Sequence, residues 1–204
     1  MADTLEKPRP DREKSLIEGA QNGVAEDFGA LYDLYAHRIY RFVFLKTGSV
    51  SDAEDLTHEV FLAAWRTVKG YRMGGTPFTS WLYRIASNRV IDWYRTQKKN
   101  LSLDEIMAGG SLPVELVSAG GAGLMKALAH KFEFQAVMGA LRSLSDDQQD
   151  VIIMRYVDDL TPEETGEAMG KTAGAVRLIQ HRAIRRLKKI IEEKHEQPIP
   201  RTTA

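Results

Sequence analysis

The chain has 204 residues, is 43% hydrophobic and 27% charged, and balances 28 Lys+Arg against 28 Asp+Glu, the composition of an ordinary globular protein. It contains no cysteine, which excludes disulfides, thiolate metal sites and a cysteine nucleophile; no apolar run approaches the ~20 residues of a membrane-spanning helix. Zero net charge says nothing about nucleic acid, but the charges segregate: acid gathers at 51–59 and 146–167, base at 84–99 and 171–194. Such segregation fits one basic ligand surface and one acidic partner surface.

Residues 1–14 are rich in charge and proline, lack the apolar core of a signal peptide, and are expected to form a disordered tail of a cytoplasmic protein. From Ser15 to Gly48 the pattern is helical, with Phe28, Leu31, Tyr32, Tyr35, Ile39, Tyr40 and Val43 in one stripe that reads as packing against neighbouring helices. Gly48 ends that helix. Ser51-Asp52-Ala53-Glu54 has the form of a capping box, opening a helix to about Val68 with Leu56, Val60, Ala63 and Ala64 inward. Asp52, Asp55 and Glu59 share another face. The helix dipole accounts for acids in the first turn; it does not reach Glu59, which leaves an acidic docking face open.

Residues 70–78, GYRMGGTPF, read as a loop, and Pro77 to Lys99 as one helix with two characters. Leu82, Ile85, Ala86, Val90 and Trp93 form a buried stripe. Trp81, Arg84, Asn88 and Arg95 lie on another side, with Arg89, Lys98 and Lys99 adding charge. An aromatic among arginines suits unstacked bases, because the ring stacks on a base while the cations meet phosphates. The loop residues Tyr71, Arg72, Thr76 and Phe78 stand where a pocket for a flipped base would be. A core helix with a solvated basic face remains the alternative. Residues 100–123 are glycine-rich, with Ala108-Gly109-Gly110-Ser111 and Ser118-Ala119-Gly120-Gly121-Ala122-Gly123, and mark a flexible linker between two domains.

Helical spacing returns from about Leu124 to Leu144, and Ser145-Asp146-Asp147-Gln148 starts a helix that buries Val151, Ile152 and Met154, with Tyr156 as a further candidate. Thr161-Pro162-Glu163-Glu164 starts a short helix to Gly170. After a turn at Lys171-Thr172, AGAVRLIQHRAIRRLKKII completes a helix-turn-helix pattern with Val176, Ile179, Ala183, Leu187 and Ile190 inward. Recognition helices bring their N-terminal residues to base edges, so Arg177, Gln180 and His181 are candidate readers. Arg182, Arg185 and Arg186 sit where phosphates would be held. Gly166 to Thr172 resembles a phosphate-binding loop, but only three residues separate the glycines and no strand precedes it. The five histidines show no helical His-x-x-x-His pair, and no nucleophile–base or paired-carboxylate arrangement has support. An enzyme, a metal, a cofactor and a small-molecule substrate are therefore not expected.

These ordered motifs resemble the extracytoplasmic-function sigma factors of bacterial RNA polymerase. DAEDLTHEVFLAAW (52–65) is similar to the family's polymerase-binding helix, FTSWLYRIASNRVIDWYR (78–95) to its melting and −10-reading helix, and residues 141–189 to its −35-reading domain. The resemblance implies an all-α fold of two small helical domains: 15–99 and a helix-turn-helix unit at 131–195, with linker 100–130 and tails 1–14 and 196–204. It further implies that Asp52, Asp55, His58 and Glu59 meet core RNA polymerase. By the same resemblance Thr76, Phe78, Trp81, Arg84, Asn88 and Arg95 serve single-stranded −10 DNA. Arg177, Gln180, His181, Arg182 and Arg185 would serve duplex −35 DNA. An anti-sigma partner is also implied. The chain departs from the family pattern at Ser145 (commonly proline), at Thr165-Gly166 (an apolar–alanine pair) and at Leu178-Ile179-Gln180 (a polar–basic–apolar run). The other reading is a stand-alone helix-turn-helix repressor or activator, although no dimer seam is evident.

Overall fold

The computed structural model describes residues 10–100 and 135–195, which fall into two compact units, and among them there is no strand. Beyond Asn100, which ends α4, the expected linker lies outside the described residues, as do the side chains of Lys98 and Lys99.

The first unit contains α1 (Pro10–Gln21), α2 (Ala25–Thr47), α3 (Val50–Thr67), a single 3-10 turn (Val68–Gly70) and α4 (Phe78–Asn100). Helix α1 corrects the expected boundary of the tail, because it begins at Pro10 and not after Lys14. Proline suits a first helical position, and Asp11 and Glu13 favour the positive end of the dipole. Glu13 is also held from outside the helix, accepting a 2.5 Å hydrogen bond from the Tyr35 hydroxyl. The helical pattern after Ser15 is interrupted at residues 22–24, where Gly23 adopts a left-handed φ of 87°.

Helix α2 ends on Gly48 in the left-handed conformation, with its N–H donated 2.7 Å to the Phe44 carbonyl. Ser49, not Ser51, caps α3: its hydroxyl accepts from the Asp52 N–H at 3.3 Å. Ser51 lies within the first turn. Sequence spacing alone could not separate the two serines, because each has a suitable residue three positions on. The helices enclose a core of Leu31, Tyr35, Ile39, Phe42, Val60, Phe61, Leu82, Tyr83 and Val90. The Gln21 amide donates to the carbonyls of Val68 (3.1 Å) and Tyr71 (2.6 Å), tying the end of α1 to the base of the loop before α4.

The second unit contains α5 (135–142), α6 (Asp146–Ile152), a π turn (Ile153–Val157), α7 (Pro162–Met169) and α8 (Ala173–His195). The expected caps are present. Gln148 accepts from the Ser145 N–H at 3.2 Å; Thr161 and Glu164 bond each other's backbone N–H at 3.1 and 2.7 Å. Thr172 starts α8 by accepting from the Ala175 N–H at 3.2 Å. Gly166 permits the turn between α7 and α8, since a Cβ there would lie 2.5 Å from the Lys171 carbonyl oxygen.

The π turn alters the register expected for α6. The Asp158 N–H reaches the Ile153 carbonyl five residues back, which inserts an extra residue into the helical face. Ile153 and Met154 are both buried, Ile152, expected inward, is half-buried, and Tyr156, a candidate for the core, is 55% exposed.

Candidate nucleic-acid and partner interfaces

In the first unit, the acidic residues of α3 divide into two kinds. Asp55, His58 and Glu59 are exposed along one side of the helix. Asp52 is half-buried, and its carboxylate accepts from the Trp93 indole N–H at 3.3 Å, linking α3 to the second half of α4. Tyr94 adds a second tie, donating to the Lys46 carbonyl at 2.5 Å.

The loop before α4 is held by its own tyrosine. The Tyr71 hydroxyl donates to the Thr76 carbonyl at 2.8 Å, across a turn in which Gly74 takes a φ of 81°. Burial, with the Glu13 carboxylate nearby, pushes the Tyr71 phenol up to about 12. Its ring lies 5.4 Å from Phe78 and 5.2 Å from Trp81, and Phe78 lies 5.3 Å from Trp81. Phe78 is only 2% exposed and also packs on Tyr35 at 5.6 Å. It is therefore the floor of this aromatic cluster, a correction to its expected place among the base-facing residues. Position 78 starts the helix on the buried stripe shared with Leu82, and that stripe decides the outcome. Trp81 and Thr76 are half-buried, while Arg84, Asn88 and Arg95 are exposed; Arg95 pairs with Asp92 at 3.4 Å.

A second feature of this unit went unread in the sequence. Ala25, Phe28, Tyr32, His58, Phe61, Leu62 and Trp65 line an open apolar groove of about 500 Å³ between α2 and α3. Its floor is an aromatic run: Tyr32–Phe61 at 4.7 Å, Phe28–Phe61 at 6.4 Å and Phe28–Trp65 at 4.9 Å. Phe28 and Tyr32 were expected to pack against neighbouring helices. They do meet α3, but no other described element covers the groove, and Leu62 is left 54% exposed at its rim. The exposure of Leu62, Leu178 and Tyr156 depends on tertiary packing that periodicity does not encode.

In the second unit α7, the turn and α8 form a helix-turn-helix. Arg177 pairs with Glu163 of α7 at 2.7 Å. Gln180 is half-buried and its amide is occupied at both ends: the oxygen accepts from Arg155 Nε at 3.3 Å, and the nitrogen donates to the Tyr156 hydroxyl at 2.8 Å. Arg155 also donates to the Leu160 carbonyl. Gln180 is thus directed toward the π turn and away from the exposed face of α8, a correction to its expected orientation. His181, Arg182 and Arg185 are exposed on that face.

Comparison with known proteins gives the same two parts. The Sigma-70 region 2 family matches residues 31–100, and the Sigma-70 region 4 family matches residues 140–189. The ECF RNA polymerase sigma factor BldN of Streptomyces coelicolor is 33% identical over 183 residues, covering 89% of this chain and 67% of the relative. The chain belongs to the extracytoplasmic-function sigma factors. SigW of Bacillus subtilis, another member, is 29% identical over 182 residues, 88% of this chain and 97% of SigW. The sigma factor's fold is also that of solved structures. CnrH, in complex with the cytosolic domain of CnrY, has a TM-score of 0.68 at 20% identity, covering 89% of this chain and 98% of that one. The sigma factor RpoE of Bartonella quintana, in complex with the anti-sigma factor NepR, has a TM-score of 0.62 at 22% identity, covering 82% and 98%.

A sigma factor is a transcription-initiation subunit that joins core RNA polymerase and directs it to promoter DNA. Region 2 of this sigma factor carries α3, α4 and the aromatic cluster; region 4 carries the helix-turn-helix. Among the described residues, no helix is long and apolar enough to cross a membrane.

Proposed function

We propose that region 2 of this sigma factor docks on core polymerase through the exposed Asp55, His58 and Glu59, with Asp52 as their anchor to α4. On the same unit Trp81, Thr76, Arg84, Asn88 and Arg95 hold the unpaired −10 strand, the ring stacking on a base and the cations meeting phosphates. Region 4 holds the −35 duplex through His181, Arg182 and Arg185, with Arg177 exchanging Glu163 for DNA. The chain performs no catalysis of its own and acts in the cytoplasm. What carries the reading is the combination, within one unit, of an acidic helix face and a half-exposed tryptophan seated on Tyr71 and Phe78. A stand-alone repressor has use for neither.

An anti-sigma protein controls its availability. The solved relatives with CnrY and NepR support this, and so does the apolar groove lined by Phe28, Tyr32, Leu62 and Trp65, which suits the apolar side chains of a partner helix. The test is run-off transcription from a pool of genomic promoter fragments, using core polymerase with and without the chain. Protein-dependent transcripts from discrete starts are expected. Sequence-specific duplex binding by the chain alone, without transcripts, would instead assign it to the stand-alone regulators.

A further inference from the structure

The reading face of α8 has an apolar gap. Of the residues expected at base edges, Arg177 is paired with Glu163, and Gln180 has both ends of its amide engaged by Arg155 and Tyr156. Between them Leu178 stands 51% exposed, with His181 and Arg182 exposed one turn later. One turn earlier Gly174 is exposed too, and among the described residues a Cβ there would meet only the Thr172 hydroxyl, at 3.9 Å. The surface around the leucine is therefore low and open on one side and cationic on the other.

A solitary exposed leucine ordinarily carries no meaning. This one lies in the second turn of the helix that follows the helix-turn-helix turn, the portion that reaches base edges in the major groove. A leucine there offers no donor or acceptor. The apolar group that the major groove displays is the C5-methyl of thymine. We infer that Leu178 is a specificity-determining residue, packing on a thymine methyl in the upstream promoter element. The inference rests on the reading of α8 as the duplex-binding helix. It assigns to Leu178 the discrimination that the bound amide of Gln180 is not oriented to supply. Burial of one methyl group is worth ~0.8 kcal/mol, which is about fourfold in affinity at ~1.4 kcal/mol per tenfold.

Deoxyuridine tests this directly, since it keeps thymine's hydrogen-bonding edge and lacks only the methyl. Holoenzyme reconstituted with the full chain is bound in competition to a promoter mapped by run-off transcription, with each upstream thymine replaced in turn. The expected result is an about fourfold loss at one thymine. Leu178→Ala should lose a similar factor on the thymine duplex and nothing further on the deoxyuridine duplex, while Leu178→Met, which keeps an apolar tip, retains the discrimination. Circular dichroism checks that the variants keep their helicity. Wild-type indifference to every replacement overturns the proposal, as do losses from Leu178→Ala and deoxyuridine that multiply at every position. If the wild-type holoenzyme does not distinguish the upstream element from a scrambled one, the assignment of α8 as reader fails, and the role of Leu178 with it.

Discussion

On the proposed reading, Trp81→Ala should separate strand capture from duplex anchoring. Stacking of one base on an aromatic side chain is worth about 1–3 kcal/mol. At ~1.4 kcal/mol per tenfold that corresponds to a roughly 5- to 150-fold loss in the open complex. The same ring lies 5.2 Å from Tyr71 and 5.3 Å from Phe78, and ring pairs of this kind contribute about 0.5–1.5 kcal/mol each. The alanine variant will therefore also lower the stability of the first unit by about 1–3 kcal/mol, and a second variant is needed to separate the effects. Trp81→Phe keeps a ring that can both stack and pack, so it should retain most of the opening activity. The assay pairs permanganate reactivity of unpaired thymines with a footprint over the upstream duplex, both on reconstituted holoenzyme. Loss of permanganate signal with an unchanged upstream footprint is expected for the alanine variant. Equal loss of both signals, or full opening by Trp81→Ala, would refute the role given to this residue.

Charge reversal on α3 by Asp55→Lys with Glu59→Lys should weaken binding to core polymerase at least tenfold at low salt, with the difference shrinking as salt is added; unchanged low-salt affinity would count against the docking face. The Thr165 hydroxyl is fully buried and, among the described residues, meets no hydrogen-bond partner, a situation that costs about 1–3 kcal/mol. Thr165→Val should therefore raise the urea midpoint of the second unit by an amount equivalent to ~1 kcal/mol, and a lowered midpoint would mean that the hydroxyl is satisfied. Alkali should unfold the first unit. Burial raises the Tyr35 and Tyr71 phenols above their usual range, with Glu13 reinforcing both. Phenols shifted upward stabilise the fold only while protonated, so their contribution is complete below pH ~10 and is lost as pH rises beyond it. Tyrosinate absorbance should appear together with loss of helicity, and Tyr35→Phe should weaken that coupling; ionisation of both phenols with intact helicity would exclude it.

Much of this fold was legible because its helix ends are written in local chemistry. Gly48, Gly170 and the Thr161-Pro162-Glu163-Glu164 start each needed only three or four residues to be read. The failures share a different origin. Residues 10–14, expected in the tail, belong to α1, where Glu13 is held by Tyr35, a partner 22 residues away. Phe78 was assigned to the loop chemistry beside it, whereas its place on the stripe of Leu82 puts it in the core. Tyr156 and Gln180 changed roles together, since the π turn rotates one toward solvent and the amide of the other follows it. The groove over Phe28 and Trp65 was hidden for a simpler reason: an aromatic stripe has the same sequence whether a neighbour covers it fully or only in part.

The pair between Arg177 and Glu163 bears on how the protein would respond to ionic strength. Each phosphate neutralised on B-DNA releases condensed counterions and adds about −0.9 to the slope of log affinity against log salt. On the proposed reading, the exposed Arg182 and Arg185 would approach the duplex as full charges. Arg177 would approach with a carboxylate 2.7 Å away, closer to a dipole than to a cation. Because both partners are exposed, exchanging that carboxylate for DNA is cheap, but the exchange releases less salt than a bare arginine would. Anchoring through α8 should then persist at higher ionic strength than the number of its basic residues implies.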